Sequence, residues 1–304
     1  MSSPEQILKK LDSLWLSMGK SEPDGADAVL RACALTLVTA GWDDDPGIGE
    51  TLALVVRDHP SRLIVLNVTD QPGDHLHADV TAQCWMPFGR RQQICCEQIL
   101  LTSSVASLDG AAALVRSLIV PDLPVALWCR SEKLFRMREF RPVAEQAAKV
   151  IIDSTGVTDL AGPLELLEQG KRDGRKVADL AWTRLTPWRE SIARRFDHPG
   201  ASLPEAIERV RITYQGAHLP IEAVYLAAWL ENSLPRSLKL DWIPVSGHGG
   251  VEQVALCDGA MEYTAKALGE RTPDELLREE LAVAGHDAVF EAALATAVRI
   301  VASL

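Results

Sequence analysis

The sequence predicts an α/β protein with a layered mixed sheet and an antiparallel hairpin in an N-terminal domain over residues 1–155. A smaller α+β domain over 156–304 is predicted to follow. Strand and helix patterns alternate through the first half, which is typical of a layered α/β domain. A short turn near residue 90 joins two consecutive strand patterns, which indicates the hairpin. The 304 residues are 47% hydrophobic, enough to bury a sizeable core.

The first half begins with a predicted helix over 3–18, where Ser2 and Glu5 form a capping box before apolar residues at helical spacing. Acidic residues and a proline at 43–46 suit the start of a second helix, which His59 ends. The other elements predicted here are a helix over 108–119 and strands over 30–39, 62–68, 76–86, 92–102, 124–129 and 149–153.

In the second half, the sequence predicts more residues in helices than in strands. A capping box at Thr272–Glu275 and an apolar face on Phe290, Leu294, Ala297 and Val301 indicate two C-terminal helices. The remaining predictions are helices over 160–169 and 221–231, a helical region over 176–196, and strands over 207–214, 238–244 and 251–257.

Composition excludes several classes of protein. A net charge of -11 and a pI near 5.2 argue against nucleic-acid and anionic-membrane binding. No apolar run reaches the ~20 residues of a membrane-spanning helix, and the N-terminus does not resemble a secretory signal. Six cysteines without a C-x-x-C pair predict reduced thiols, mostly buried, in a reducing cytoplasm.

Several motifs fall short of a nucleotide, metal or nucleophile site. Gly19–Ser21 resembles the end of a phosphate loop but lacks its first glycine, and Gly47 and Gly49 lack the third glycine of a dinucleotide fingerprint. His75 and His77 share a strand face without a third metal ligand nearby. No serine lies in a G-x-S-x-G elbow. The sequence therefore predicts no cofactor and no metal.

Two further short motifs favour structural roles. The glycine-rich segment 247–250 between two predicted strands favours a hairpin turn over an anion cradle. Adjacent Cys95 and Cys96 point to opposite faces of a strand, which predicts one core thiol and one more exposed. A redox role for either cysteine, or for Cys257, stays open, although two packed thiols are favoured.

Two segments combine aromatic, arginine and amide residues. Residues 85–99 place two arginines and three glutamines at the predicted hairpin turn and on the strand after it. Residues 179–190 place Arg184 and Trp188 four apart on a helix, where their side chains can stack. Tryptophan and arginine are typical of interface hot spots, but buried tryptophans with arginines at their rim would give the same pattern. The candidate partner-binding residues are Arg90, Arg91, Gln92, Gln93, Glu97, Trp182, Arg184, Trp188 and Arg189.

These two segments, together with residues 31–38, 59–62 and 121–128, resemble the OpcA family of glucose-6-phosphate dehydrogenase assembly proteins. The sequence departs from the family pattern at Arg90, where relatives are expected to have glycine, and at Cys96, where they are expected to have serine. The resemblance implies a non-catalytic bacterial protein of the pentose phosphate pathway. It would bind glucose-6-phosphate dehydrogenase and activate it allosterically, while the NADP chemistry stays on the partner.

The alternative is an enzyme or binding protein for sugar phosphates, such as a lactonase. Arg130–Ser131 and Asp153–Ser154 follow buried strands, at the edge where α/β sheets bind ligands. Arg136, Arg138 and Arg141 lie near the first of these pairs and could help to hold a phosphate. Because no nucleophile and base converge in the sequence, we favour an interaction protein.

Overall fold

The structure is a computed structural model that describes residues 3–19, 29–42, 47–87, 93–197, 204–247, 249–259, 262–266, 269 and 271–304. Contacts between Cα atoms divide the chain into two compact units, Met1–Ile151 and Ile152–Leu304. The units are nearly equal in length, so the second is not smaller in residue count. Domain boundaries at 155 and 156 stay a prediction.

A large, mostly parallel sheet organises the first unit. Its strands are β1 Val29–Arg31, β2 Leu35–Trp42, β3 Ser61–Thr69, β4 Leu76–Trp85, β5 Gln93–Ser104, β6 Val125–Cys129 and β7 Lys149–Ile152. They lie in the order β1-β5-β3-β2-β6-β7, and β4 pairs with β5. β4 and β5 are antiparallel, so the predicted hairpin is confirmed. β2 and β3 are buried along nearly their whole length, as strands covered on both faces should be.

The three longer helices of the first unit were predicted from the sequence, and two short ones were not. They are α1 Pro4–Gly19, α2 Ile48–Asp58, α3 Leu108–Leu118 and the short α4 Glu132–Phe135 and α5 Arg141–Ala144. The capping box of α1 is formed by Ser3 and Gln6, since the side chain of each bonds the backbone N–H of the other. Ser2, the predicted partner of Glu5 in this box, lies outside the described residues. Residues 43–46, the predicted start of the second helix, lie outside the described residues.

The single strand predicted over 30–39 is wrong, because this run forms β1 and β2 with a break between them. In the break, the N–H of Ala32 donates to the carbonyl of Cys95 and the N–H of Ala34 to that of Pro60. The backbone therefore changes partner from β5 to β3 at these residues. Contacts distant in sequence decide this break.

The second unit contains a smaller mixed sheet in the order β10-β9-β11-β12. β9 is parallel to β10 and antiparallel to β11. The strands of this sheet are β9 Arg209–Gln215, β10 Lys239–Val245, β11 Val251–Cys257 and β12 Glu262–Ala265. A further strand, β8 Lys176–Asp179, precedes them in the chain and is not part of this sheet. The helices are α6 Ala161–Arg172, α7 Leu180–Thr183, α8 Thr186–Phe196, α9 Ile221–Ser233, α10 Pro273–Ala282 and α11 Ala288–Val301. The α/β class with one large and one smaller sheet is thus confirmed.

Two predictions in the second unit are wrong. Residues 176–179 form a strand, so the predicted helical region starts later, at Leu180. The segment 247–250 is not a hairpin turn, because β10 and β11 flank β9 and do not pair with each other. Within this connection Gly249 and Gly250 have φ of 89° and 85°, which side chains other than glycine rarely adopt. His248 lies outside the described residues.

The cysteines of the hairpin depart from the predicted packed thiols. Cys84 lies directly opposite Cys95 with their Cα atoms 4.1 Å apart, and the two form a disulfide. Residues that lie directly opposite each other on antiparallel strands with such a short Cα distance also have their side chains close together. Cys95 and Cys96 are both fully buried, so neither is the more exposed thiol expected from strand alternation. Burial raises the pKa of the Cys96 thiol to about 11.

Candidate functional site

The first candidate segment is only partly described. Arg90, Arg91 and Gln92 lie outside the described residues. Gln93 opens β5 opposite Val29 of β1 and is half-buried. Among these four residues, only Gln93 therefore has a described position, and it stays a candidate for partner contact.

The carboxylate of Glu97 is buried and bonded to other side chains of the first unit. Its side chain is 4% exposed. The carboxylate pairs with Arg62 Nε at 2.6 Å and Arg31 at 2.5 Å, and it accepts a hydrogen bond of 2.8 Å from Trp15 Nε1. Arg62 is itself 8% exposed and also donates to the carbonyl of Leu118. This geometry gives Glu97 a structural role and does not support its proposed contact with a partner.

Both tryptophans of the second segment are core residues. Trp182 is 3% exposed and Trp188 is 7% exposed. The ring of Trp182 packs against Tyr225 and Phe290, with centroids 6.0 Å and 5.6 Å away. Trp182 Nε1 donates to the carboxylate of Asp287. The geometry matches the alternative of buried tryptophan anchors.

The two arginines beside them are engaged within the second unit. Arg189 lies 3.7 Å over the Trp182 ring and donates to the Trp182 carbonyl at 2.9 Å. Burial lowers the pKa of Arg189 to about 10. Arg184 pairs with Asp153 at 3.3 Å and donates to the Thr155 hydroxyl at 2.9 Å. Arg184 is the better candidate for a contact with a partner protein, because Arg189 supports the Trp182 ring.

We therefore expect the double substitution Arg184→Glu with Arg189→Glu to lower the thermal midpoint. The sequence alone predicts that this variant folds normally. In the structure, a glutamate at 189 would lose the cation–π contact and face Asp287, Glu279 and Glu280. Arg194→Glu is the matched control, since Arg194 is 75% exposed on the same helix and should shift stability by at most about 0.5 kcal/mol. If the double variant has the same thermal midpoint as Arg194→Glu, Arg189 does not have the structural role described here.

Three of the four arginines of the sugar-phosphate alternative contact side chains of the first unit. Arg136 pairs with Glu132 and Arg141 with Glu145, each one helical turn away on an exposed surface. Arg130 Nε donates to the Thr39 hydroxyl. Ser154 is fully buried and bonded to Asp179. The described positions therefore do not favour a phosphate site or a serine nucleophile at these strand ends.

The second unit contains a buried polar network that was not predicted from the sequence. Asp179 ends β8, caps α7, and is fully buried. Its carboxylate accepts hydrogen bonds from the N–H groups of Ser154 and Ala181, each at 3.0 Å, and from the hydroxyls of Ser154 and Tyr225. Burial raises the pKa of Asp179 to about 7. The D-L-A pattern at a strand end suggests a cap but gives no signal for Tyr225, which lies 46 residues later.

His75 and His77 do not belong to a metal site in the part of the chain that the structure describes. Among the described residues, no group of three or more His, Cys, Asp or Glu side chains could hold a metal ion. His77 instead bonds Asp79, and His75 bonds the carbonyl of Pro72. In the described ranges, no helix has the length and apolar character to cross a membrane.

Solved structures offer only distant likenesses. A biliverdin reductase from Synechocystis sp. shares 11% identity at a TM-score of 0.47, covering 88% of this chain and 96% of that one. A scyllo-inositol dehydrogenase from Lactobacillus casei shares 8% at a TM-score of 0.49, covering 90% and 96%. Scores of this size carry no argument about function.

Several proteins share higher sequence identity with this chain than these two structures do. A protein from Nostoc punctiforme named OpcA and described as an OxPP cycle protein is 31% identical over 206 residues, 66% of this chain and 42% of its own length. Its namesake from Synechocystis sp. is 29% identical over 204 residues, 66% and 40% of the two lengths. The chain spans less than half the length of the curated relatives it matches.

Two family models match successive parts of the chain. The model described as the N-terminal domain of the glucose-6-phosphate dehydrogenase subunit matches residues 53–169. The model described as its C-terminal domain matches residues 175–263. Both models are named for OpcA and for glucose-6-phosphate dehydrogenase, and together they cover more than half of the sequence. The chain therefore belongs to the OpcA family, which is assigned to the oxidative pentose phosphate cycle and to glucose-6-phosphate dehydrogenase assembly.

Proposed function

We propose that this protein is a non-catalytic assembly factor and allosteric activator of glucose-6-phosphate dehydrogenase. The observation that carries the proposal is the consecutive match to both domains of the family described as that dehydrogenase's subunit. A cytoplasmic location, predicted from the sequence, fits this partner. Gln93 and Arg184 remain candidate contacts because both keep some exposed surface.

Activation requires that the protein bind one conformation of the dehydrogenase better than another. A ligand shifts an equilibrium only by its difference in affinity for the two states. An effect of about tenfold needs a difference of only ~1.4 kcal/mol, which is a modest coupling. The dehydrogenase then supplies NADP binding and hydride transfer, and this chain supplies binding energy alone.

We expect the purified protein to copurify with the dehydrogenase of the same organism and to raise its kcat/KM by about tenfold at saturation. The measurement is NADPH formation with and without this chain, with an unrelated acidic protein at equal concentration as control. The chain alone should form no NADPH, bind no NADP by calorimetry and hydrolyse no 6-phosphogluconolactone. Unchanged kinetics at saturating protein would contradict the activator role, and lactone hydrolysis by the chain alone would favour the enzymatic alternative.

A further inference from the structure

β4 is an edge strand of the large sheet in the first unit. Among the described strands it pairs with β5 alone, in an unbroken antiparallel register that joins Leu76 to Ser103 at one end and Trp85 to Ile94 at the other. Natural edge strands are usually short or carry a lysine, a proline or a bulge, because a free edge offers hydrogen bonds to any other strand. β4 is ten residues long and contains no lysine, no proline and no register shift. This edge is therefore suited to receive a further strand.

The pair of Cys84 and Cys95 shows which backbone groups of β4 point outward. Their Cα atoms are 4.1 Å apart, the short spacing of a pair that exchanges no backbone hydrogen bonds. The N–H and C=O groups of Cys84 therefore point away from β5, and so do those of every second residue before it, which are Leu76, Ala78, Val80 and Ala82. None of these outward groups has a hydrogen-bond partner in the part of the chain that the structure describes.

A groove lies between α1 and the middle of β4. Its described lining is Val80 together with one side of α1, formed by Gln6, Lys9, Lys10, Ser13, Leu14 and Ser17. No described residue of β5 or α3 lines it, so the groove lies along the free edge of β4. Val80 and Ala82 share a face of β4, Ala82 lies opposite Glu97, and Glu97 is bonded by Trp15 of α1. A strand added at this edge would therefore place every second side chain against α1.

The charges on the α1 side of the edge are positive. Lys9 and Lys10 are exposed, and they are the only charged residues in the described lining of the groove. Neither lysine forms an ion pair with a described residue. The carboxylates of α1, Glu5 and Asp12, do not line the groove. Glu97, on the same face of the sheet, is already paired with two arginines. Carboxylates on an added strand would therefore be attracted to this side.

The opposite face of β4 has a different character. Its exposed residues include His77, Asp79 and Thr81. His77 and Asp79 contact each other at 2.9 Å. Because Asp79 would repel a carboxylate, uncharged side chains such as threonine suit the added strand on this face.

We propose that the free edge of β4 binds an extended acidic segment of a partner protein by strand addition. Backbone groups of the segment pair with the outward N–H and C=O groups of β4, and carboxylates at every second position lie beside Lys9 and Lys10. A second copy of this chain is disfavoured as the occupant. Two-fold pairing of β4 with β4 would bring both α1 helices to the same side of the sheet, with lysines facing lysines. The proposal does not rest on activation of the dehydrogenase, because it concerns binding by the isolated chain.

The first test is amide hydrogen exchange of the full chain, measured by NMR with a peptide of eight residues that alternates threonine with glutamate. At saturation, exchange at Ala78, Val80 and Ala82 should slow by at least about tenfold, because their outward N–H groups become bonded. Two control peptides separate backbone from charge. The same peptide N-methylated along one edge should give no protection, and a peptide with lysine for glutamate should bind at least about tenfold more weakly. No protection of these amides at about 1 mM of the glutamate peptide would overturn the proposal.

The second test reverses the charges of the groove. Lys9→Glu combined with Lys10→Glu should weaken binding of the glutamate peptide by at least about tenfold and strengthen binding of the lysine peptide. Arg57→Glu combined with Arg116→Glu is the matched control, because it changes net charge equally at exposed residues of α2 and α3 outside the groove. The control should change affinity by less than about twofold.

Two further outcomes decide against the proposal. Equal loss of affinity in both double variants would show that overall charge, and not this groove, attracts the peptide. A dimer of the peptide-free chain in sedimentation equilibrium, with the amides of Ala78, Val80 and Ala82 already protected, would assign the edge to a second copy instead. If the lysine variant does not fold by circular dichroism, the two control peptides still decide on the unaltered chain.

Discussion

Replacing Asp179 by alanine should lower the free energy of unfolding by about 3–5 kcal/mol, measured by urea denaturation, because several buried donors lose their acceptor. The carboxylate accepts four hydrogen bonds in a fully buried site, two of them from the N–H groups of Ser154 and Ala181. Alanine would leave these groups and the hydroxyls of Ser154 and Tyr225 buried without an acceptor. It would also remove the cap of α7.

Asp179→Asn is the matched control for that substitution. The asparagine carbonyl can accept both N–H groups, and the hydroxyls of Ser154 and Tyr225 can rotate to accept from its amide. We expect a loss of about 1–2 kcal/mol. If alanine and asparagine are equally stable, the hydrogen bonds of Asp179 are not what holds this region together.

The same residue predicts a dependence of stability on pH. Its folded pKa is raised to about 7 from 3.8, so the folded state binds more protons than the unfolded state between these values. Its contribution to stability is therefore complete below pH 3.8 and is lost as pH rises to about 7. Asp179→Asn should remove this part of the pH dependence, because the amide does not titrate.

Local sequence signals located most helices and strands of this fold because they depend on a few adjacent residues. The capping box of Thr272 and Glu275 is present in the structure as predicted. The break between β1 and β2 was missed because residues 30–39 all suit a strand. What separates them is pairing with Cys95 and Pro60, and no local pattern reports such pairing.

The candidate site was harder to predict, since tryptophan and arginine have the same local pattern on an interface and in a core. Trp182 is buried by Tyr225 and Phe290, which lie far along the chain. The burial of the Glu222 side chain was not predicted either, although it lies in a run over 221–228 that is otherwise apolar and in which every residue is buried.

Replacing Glu97 by alanine should also lower the free energy of unfolding by about 3–5 kcal/mol, because it leaves the buried Arg62 without its counter-ion. Arg62 is 8% exposed, and its Nε lies 2.6 Å from the carboxylate. The substitution also removes the acceptor of Trp15 Nε1 in α1 and the partner of Arg31. Urea denaturation of the full chain measures the loss.

Glu132→Ala supplies the matched control, because it breaks another glutamate–arginine pair of the same unit, to Arg136 at 2.7 Å. Both of those side chains are more than 40% exposed, so water screens the pair and we expect a loss of at most about 0.5 kcal/mol. The contrast isolates burial as the variable, since residue type and removed charge are the same. If Glu97→Ala is no less stable than Glu132→Ala, Glu97 is not needed for folding, and its sequence-based assignment as a partner contact regains support.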